Sequence, residues 1–350
     1  MCQAHEKMIA EGEKIESEST LDFITPLVSF AERQIIDMKF PKKLEKGACI
    51  GLVACSSFIS EERLAACITF LKEKGYQLKV ADNITSNKAG YMAGEEAVRM
   101  EWLNRMFADP EVDAIFCVRG GDGSNRMISG VDLDIVRTNP KIFVGYSDTT
   151  TMLNLFADRC GLVTFHGPMV SSNMVDAYDD DTRTAFEAAL NADSEYCYRE
   201  PADHPMVIAQ AGSGIARAPL AGGNLELIGT SIGTPYEVDT DGKILFIEEV
   251  HGHIGNLDRT VFQLRDAGKF DKVKGVLLGQ FTDMVIDEPD YGPERVIMDA
   301  ILSSGRPDAD QVPVITNIQS GHGQPMITLP IGAMCEIDTE KKTIRFQVER

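Results

Sequence analysis

The chain has 350 residues, of which 43% are hydrophobic and 25% are charged, as is usual for a globular protein with one large or two medium domains. Its 54 Asp and Glu residues outnumber its 34 Lys and Arg residues, giving a formal net charge of -20. This charge repels nucleic-acid phosphates and anionic membrane surfaces, so neither is expected as a partner.

The N-terminal segment lacks the features of a signal peptide. It begins Met1-Cys2-Gln3 and soon carries several acidic residues, with no basic start and no apolar centre. No apolar run approaches the roughly 18 to 20 residues of a membrane span. We therefore expect a cytoplasmic protein, whose eight scattered cysteines are reduced and mostly buried rather than paired in disulfides or bound to zinc.

From about residue 47, short apolar runs alternate with amphipathic stretches. The pattern predicts strands at 49–54, 76–80, 114–118, 141–144 and 162–165, and helices at 60–74, 95–108, 133–137 and 149–158. Ser60 is a plausible helix cap and Gly75 a plausible stop. Strands that alternate with helices of this length predict an α/β domain over 38–178, with a mostly parallel, doubly wound sheet and helices on both faces.

The sequence pattern changes near residue 179. An acidic run, a helix-like stretch and a proline-containing loop predict a linker over 179–212, and the acidic run is interpreted as a solvated face rather than a metal site. Short strands then dominate, at 244–247, 275–278 and 343–348, with one helix at 257–267. This predicts a second, sheet-rich α+β domain over 213–350.

The segment from Lys141 to Thr150 carries the sharpest local signal for chemistry. An apolar strand runs through Gly145-Tyr146-Ser147 directly into an amphipathic helix, a turn that can present the Ser147 hydroxyl beside the free N–H groups of the helix start. The alternative is that Ser147 merely caps the helix.

A glycine-rich loop, Arg119 to Asn125, also follows a predicted strand. Its N–H groups could cradle an anion, although the loop has neither the P-loop pattern nor the dinucleotide-binding pattern. An ordinary structural turn is the alternative interpretation.

Two further candidates lie in the second half of the chain. Glu248 ends an apolar strand, and His322 lies in a loop between Gly321 and Gly323, an unusual place for a core histidine. His251 and His253 could bind a metal, but no third ligand is evident. A serine, a glutamate and a histidine meet the needs of nucleophilic catalysis, but their spacing does not show that they meet in space.

Several segments resemble the LD-carboxypeptidase family of serine peptidases, which includes murein tetrapeptide carboxypeptidases and microcin self-immunity hydrolases. The similar segments occur in the family's order from about residue 40 to residue 340; they include Arg119-Gly120-Gly121, Gly145-Tyr146-Ser147-Asp148, Gly222-Gly223-Asn224-Leu225, Leu245-Phe246-Ile247-Glu248-Glu249, Asp258-Arg259 and Gly321-His322. The resemblance implies a parallel-sheet, flavodoxin- or amidotransferase-like N-terminal domain that carries the nucleophile. It also implies a C-terminal domain that carries the Glu and the His, with the site between the two domains.

The resemblance also implies a role for each candidate residue. It makes Ser147 the nucleophile, His322 the base and Glu248 the residue that orients the base, with the N–H groups of Gly121 and Asp148 as oxyanion donors and Gly120 as a rival to Gly121. The residues expected to contact substrate are Arg119, Gly120, Asn224 and Arg259. Asp122 departs from the aromatic residue common in the family, and the extension at 1–37 has no counterpart in the family core.

The expected activity is hydrolysis of an L,D-peptide bond, such as release of the terminal D-Ala from a murein tetrapeptide. No metal and no organic cofactor is expected, the partner is a small muropeptide, and the family suggests a homodimer. One alternative is a self-immunity hydrolase that cleaves a peptidyl-nucleotide or acyl-adenylate analogue. Another is a non-catalytic protein that binds an anion through its glycine-rich loops.

Overall fold

The computed structural model describes residues 37–210, 212 and 214–350, so almost all of the predicted extension at 1–37 lies outside the described residues. The helices are α1 (Glu61–Glu73), α2 (Glu96–Ala108), α3 (Leu133–Thr138), α4 (Thr150–Cys160), α5 (Asp180–Asn191), α6 (Leu225–Ser231), α7 (Ile254–Asp266) and α8 (Pro293–Leu302). Within this part of the chain, every helix is too short or too polar to cross a membrane.

The first sheet has six strands: β1 (Cys49–Val53), β2 (Gln77–Val80), β5 (Ala114–Cys117), β6 (Ile142–Gly145), β7 (Thr164–His166) and β14 (Leu329–Ile331). Their order is β14-β7-β6-β5-β1-β2, and all neighbours are parallel except β14 and β7. A separate hairpin joins β3 (Asn87–Lys88) to β4 (Met92–Ala93). This sheet confirms the predicted parallel α/β architecture.

The second sheet has eight strands: β8 (Glu195–Cys197), β9 (Val207–Gln210), β10 (Ile215–Asn224), β11 (Ile244–Val250), β12 (Gly275–Thr282), β13 (Val314–Thr316), β15 (Met334–Asp338) and β16 (Thr343–Gln347). Their order is β8-β16-β15-β10-β11-β12-β13-β9, with a parallel centre from β10 to β13. The sheet-rich second half is thus as predicted.

The segment 179–212 contains a helix, α5, and two strands, β8 and β9, that form the two edges of the second sheet. The acidic run there begins α5: Asp179 is the N-cap, and its side chain accepts the N–H of Thr182 at 2.8 Å. With 3 and 4 residues, β8 and β9 are too short to show the alternating pattern of a strand. The domain boundaries given above stay predictions.

Local sequence explains where several elements begin and end. Ser60 caps α1 by accepting the N–H of Arg63 at 3.1 Å. Gly161 ends α4 with φ 65°, in the left-handed region that favours glycine. The central strands β5 and β6 are buried throughout, as parallel strands covered on both faces should be.

The strand order determines where a binding site can form. Because the chain runs from β1 to β2 on one side and later to β5 on the other, the loops after β1 and β5 diverge. In open α/β sheets, ligands bind in the crevice that such divergence creates at the carboxyl ends of the strands. The loops after β1, β5 and β6 all leave this edge.

Candidate active site

Ser147 lies in a tight turn between β6 and α4. Its φ is 60°, a left-handed conformation that is unfavourable for a residue with a side chain. Residues 147–149 form one turn of 3-10 helix, and α4 then begins at Thr150 with Thr149 as its N-cap. Ser147 is therefore not the cap of α4, and the strained turn has the form expected of a nucleophile elbow.

The glycine-rich loop contacts this turn. A Cβ added to Gly120 would lie 2.8 Å from Cβ of Ser147, and a Cβ added to Gly121 would collide with Ser57. Gly121 has φ 109°, which glycine adopts readily. Among the described residues, the N–H groups of Gly120 and Gly121 have no hydrogen-bond acceptor. They are thus free to bind an anion formed at Ser147.

Asp148 contributes a backbone N–H at the start of the 3-10 turn, where helical N–H groups have no intrahelical partner. The rest of Asp148 bonds Ser124. Oδ2 of Asp148 accepts the N–H of Ser124 at 2.8 Å, and the backbone oxygen of Asp148 accepts the Ser124 hydroxyl at 2.5 Å. Burial raises the pKa of this carboxyl. Asp148 therefore joins the serine turn to the glycine-rich loop.

His322 and Glu248 form a close pair. Nδ1 of His322 lies 2.7 Å from Oε2 of Glu248, whose side chain is fully buried while that of His322 is 15% exposed. Gly321 has φ 141°, and a Cβ there would stand 3.0 Å from Oε2 of Glu248. Only glycine therefore allows the loop to approach the carboxylate so closely. The pairing leaves Nε2 of His322 for a second partner.

Gln280, at the end of β12, supports the histidine loop. Its Oε1 accepts the N–H of Gly323 at 2.8 Å, and its Nε2 donates to the carbonyl of Pro325 at 3.1 Å. The backbone N–H of Gln280 also donates to the carbonyl of Ser320 at 3.0 Å. Gln280 thus bonds the chain on both sides of His322, through its backbone before it and its side chain after it. No motif in the sequence pointed to it.

Tyr146 packs on the His322 ring, and His166 packs on Tyr146. The ring of Tyr146 makes an edge contact with His322 at 4.8 Å between centroids and with His166 at 5.7 Å. Burial raises the pKa of Tyr146 to about 12, while burial and the charge of His322 lower the pKa of His166 to about 3. His166 also packs on Phe246 at 5.0 Å. Both Tyr146 and His166 therefore stay neutral across the physiological range.

A cavity of about 960 Å³ brings most of the predicted residues together. Its walls include seven of them: Arg119, Gly120, Gly121, Ser147, Asp148, Asn224 and His322. Glu248 lies behind His322 and does not line the cavity. Arg259 does not line it either; it is exposed on α7 and donates to Asn256 of the same helix.

Asn224 is held within a polar cluster at the cavity wall. Its Nδ2 donates to Oε1 of Glu249 at 2.8 Å, and its Oδ1 caps α6 by accepting the N–H of Leu227. The other Glu249 oxygen accepts the N–H of Glu226 at 2.9 Å, and burial raises the pKa of Glu249. Glu249 was not singled out from the sequence, although it directly follows Glu248.

No cluster of three or more potential metal ligands occurs within residues 37–210, 212 and 214–350. His251 and His253, which the sequence left open as ligands, each approach a single carboxylate: His251 faces Asp283 at 3.8 Å and His253 faces Asp287 at 2.9 Å.

Comparisons with known proteins identify the family. Residues 50–167 match the N-terminal domain of the LD-carboxypeptidase family, and residues 217–337 match its C-terminal domain. A probable murein peptide carboxypeptidase of Bacillus subtilis is 36% identical over 306 residues, which cover 87% of this chain and 92% of that protein.

Two solved structures have the same fold. The microcin C7 self-immunity protein MccF superposes with a TM-score of 0.80 at 26% identity, over 88% of this chain and 98% of that one. The muramoyltetrapeptide carboxypeptidase of Oxalobacter formigenes gives a TM-score of 0.73 at 25% identity, over 87% and 99%. With both family domains matched in order and a full-length relative above 30% identity, the chain belongs to the LD-carboxypeptidase family and is a peptidase of that type.

Proposed function

We propose that this peptidase is a serine carboxypeptidase that hydrolyses an L,D-peptide bond and releases the terminal D-Ala of a murein tetrapeptide. The observation that carries the proposal is the 2.7 Å pair of His322 and the fully buried Glu248 at the cavity that Ser147 also lines. A strained serine, a paired imidazole and free N–H groups together supply what acyl transfer requires. The reaction needs neither a metal nor an organic cofactor.

In the proposed reaction, Oγ of Ser147 attacks the carbonyl carbon of the scissile bond while Nε2 of His322 takes the hydroxyl proton. Glu248 keeps the other imidazole proton on Nδ1 and stabilises the charged ring. The N–H groups of Gly121 and Asp148 bind the oxyanion. His322 then gives its proton to the leaving amine of D-Ala, and an ester remains on Ser147. Water, activated by the same imidazole, hydrolyses this ester and restores the serine hydroxyl.

Arg119 is the best candidate for binding the free carboxylate of the substrate. It lines the cavity, and among the described residues its guanidinium has no acidic partner. Arg126 lines the same cavity but is paired with Glu96 at 2.7 Å. An unpaired guanidinium can bind a carboxylate through two parallel hydrogen bonds. Arg259 is a weaker candidate for contact with the substrate, since it does not line the cavity.

A self-immunity type of activity is the second candidate. The TM-score to MccF, 0.80, exceeds the 0.73 to the muramoyltetrapeptide carboxypeptidase, and solved MccF structures include a complex with aspartyl sulfamoyl adenosine. Tyr91, an exposed aromatic residue, lines the cavity here and could stack on a base. The 36% identity to a probable murein peptide carboxypeptidase favours the first candidate.

The decisive experiment compares three substrates: a murein tetrapeptide, its C-terminal amide and a peptidyl-adenylate analogue. The wild type should cleave the free acid well, the amide much less and the adenylate little, and Ser147→Ala should cleave none. Arg119→Ala should raise KM for the free acid by at least about tenfold, while the matched Arg126→Ala changes it little. A preference for the adenylate would move the chain to the self-immunity type. Turnover by Ser147→Ala within about tenfold of wild type would refute the serine mechanism.

The cytoplasmic location and the homodimer predicted from the sequence belong to the same proposal. Light scattering on the purified chain tests the dimer, and fractionation of cells that express the chain tests the location.

A further inference from the structure

Arg99, on α2, is an arginine in the protein interior. It is 1% exposed and is one of the largest fully buried side chains among the described residues. No carboxylate in the described part of the chain lies within ion-pair distance of it, and Glu96, one turn earlier, is paired with Lys88 and Arg126. Burying a charge in this way is unfavourable unless hydrogen bonds and nearby charge compensate for it. The position therefore calls for an explanation beyond packing.

The guanidinium of Arg99 joins two loops at the cavity. Its Nη1 donates to the carbonyl of Cys55 at 2.5 Å and to the carbonyl of Gly123 at 2.8 Å. Nη2 contacts the sulfur of Met92 at 3.6 Å. Cys55 follows β1, and Gly123 belongs to the glycine-rich loop that follows β5. One buried side chain thus bonds the backbone on both sides of the crevice between these strands.

The same two loops also bond each other beside the candidate oxyanion donors. The N–H of Ser57 donates to the carbonyl of Gly120 at 3.3 Å, and the Ser57 hydroxyl accepts the N–H of Asp122 at 3.1 Å. Gly121 and Gly123 both have positive φ, 109° and 103°. Glycines in such conformations have many alternatives, so the loop needs outside contacts to hold one shape. Arg99 and Ser57 supply them at opposite ends of the loop.

The glycine-rich loop is also joined to the serine turn. The side chain of Asp148, which is 4% exposed, accepts the N–H of Ser124 at 2.8 Å, and the Asp148 backbone oxygen accepts the Ser124 hydroxyl at 2.5 Å. Arg99 at Gly123 and Asp148 at Ser124 thus hold two neighbouring residues of the loop that carries the candidate oxyanion donors.

We propose that Arg99 is a positioning residue for the oxyanion hole: by holding the Cys55 and Gly123 carbonyls, it fixes the glycine-rich loop whose Gly121 N–H is a candidate oxyanion donor. The inference rests on the serine mechanism proposed above. Arg99 touches no substrate, because it does not line the cavity. It should therefore affect the stabilisation of the transition state and leave substrate binding nearly unchanged.

The test compares Arg99→Met and Arg99→Lys with Arg105→Met, a control on the same helix in which an exposed arginine pairs with Glu101 and lies over the Trp102 ring. We expect Arg99→Met to lower kcat by about 100-fold, the size of effect seen when an oxyanion donor is lost, with KM within about threefold. Arg99→Lys should fall in between, and Arg105→Met should match wild type. A kcat within about threefold of wild type for folded Arg99→Met would overturn the inference.

A second measurement separates positioning from a merely structural role. A peptidyl boronate that bonds to Ser147 mimics the tetrahedral intermediate, whereas an uncleavable peptide mimics the ground state. Arg99→Met should weaken boronate binding by about the same factor as kcat/KM and leave binding of the uncleavable peptide within about threefold. Equal loss of affinity for both would show that Arg99 supports the fold only.

Should Arg99→Met fail to fold, Gly123→Ala tests the same contact from the loop side. Its Cβ would lie 2.9 Å from Cγ of Met92 and 3.5 Å from Nη1 of Arg99, and φ 103° would strain it. The inference requires the same selective loss of kcat and boronate affinity in this variant, and unchanged kcat would refute it. Ser147→Ala, measured alongside, identifies a different failure: if it keeps turnover, the serine mechanism itself is wrong.

Discussion

Gly120 and Ser147 lie so close together that a Cβ added to Gly120 would stand 2.8 Å from Cβ and 3.0 Å from Oγ of Ser147. Real Cβ atoms essentially never approach so closely, so even a methyl group must displace the serine or the loop. The contact explains why paired glycines occur at the end of β5. It also makes Gly120 a sensitive probe of the site.

Gly120→Ala should lower kcat at least about 100-fold, because shifts of about 1 Å in reacting groups are enough for losses of this size. The variant should still fold, since the strain falls on a loop that lines the cavity and not on a strand of either sheet. Steady-state kinetics and urea unfolding test this, with Gly292→Ala as the control, because Gly292 has a negative φ and no contact closer than 3.5 Å. Normal turnover in Gly120→Ala would mean that Ser147 is not in the reacting position.

Replacing Ser147 by glycine and by alanine should separate strain from catalysis. Both variants lack the hydroxyl and should be inactive. At φ 60°, however, glycine is relaxed and alanine is strained, so Ser147→Gly should be more stable than Ser147→Ala by about 1 kcal/mol. Unfolding in urea, followed by fluorescence of the single tryptophan, measures the difference. Equal stabilities would show that the turn relaxes when the hydroxyl is lost.

His166 should make the protein sensitive to acid. Its pKa is lowered to about 3 in the folded chain, whereas an unfolded histidine binds its proton near pH 6.5. Between these values the unfolded chain binds the extra proton, so stability falls as pH falls, by at most about 1.4 kcal/mol per pH unit. Below about pH 3 this contribution stops changing.

The test compares the free energy of unfolding at several pH values between 7 and 4 for wild type, His166→Phe and the partly exposed control His204→Phe. In His166→Phe, the slope of the free energy of unfolding against pH should decrease by an amount close to the uptake of one proton, and in the control the slope should stay as in wild type. If His166→Phe has the same slope as wild type, another group is responsible for the acid sensitivity.

A chain that begins at Met38 should fold and remain active. Residues from Lys39 onward join the core, since the N–H of Lys39 donates to the carbonyl of Gly161 and the N–H of Val163 donates to the carbonyl of Lys39. The apolar residues before Met38 suffice for one short helix but not for a domain. Circular dichroism and peptidase assays on the shortened chain check this. Insolubility would make the N-terminal segment part of the core or of an interface.

Much of the fold follows from local signals in the sequence. Ser60 and Gly75 mark the ends of α1 because capping and left-handed turns depend on neighbouring residues alone. The edge strands β8 and β9 were not predicted, because 3 or 4 residues are too few to show the alternating pattern of a strand.

A candidate site residue could be proposed from the sequence where it stands out from its surroundings. Ser147 follows a buried strand, and His322 lies between glycines, so both became candidates. Gln280 and Arg99 did not, because a polar residue at a strand end or on an amphipathic helix looks the same whether it faces solvent or bonds a distant loop. Such roles depend on contacts between residues far apart in sequence.

The pairing of β14 with β7 ties the two halves of the chain together. The chain leaves the second sheet after β13, passes through the loop that carries His322, and enters the first sheet at β14. The loop that carries the imidazole is therefore attached at one end to the second sheet, through β13, and at the other end to the first sheet, through β14. A wide opening of one sheet from the other would displace His322, so we expect substrates to enter and leave without such a hinge motion. We expect each half to aggregate when it is expressed alone. The first half would expose the free edge of β7, and the second half would leave β14 without a neighbouring strand.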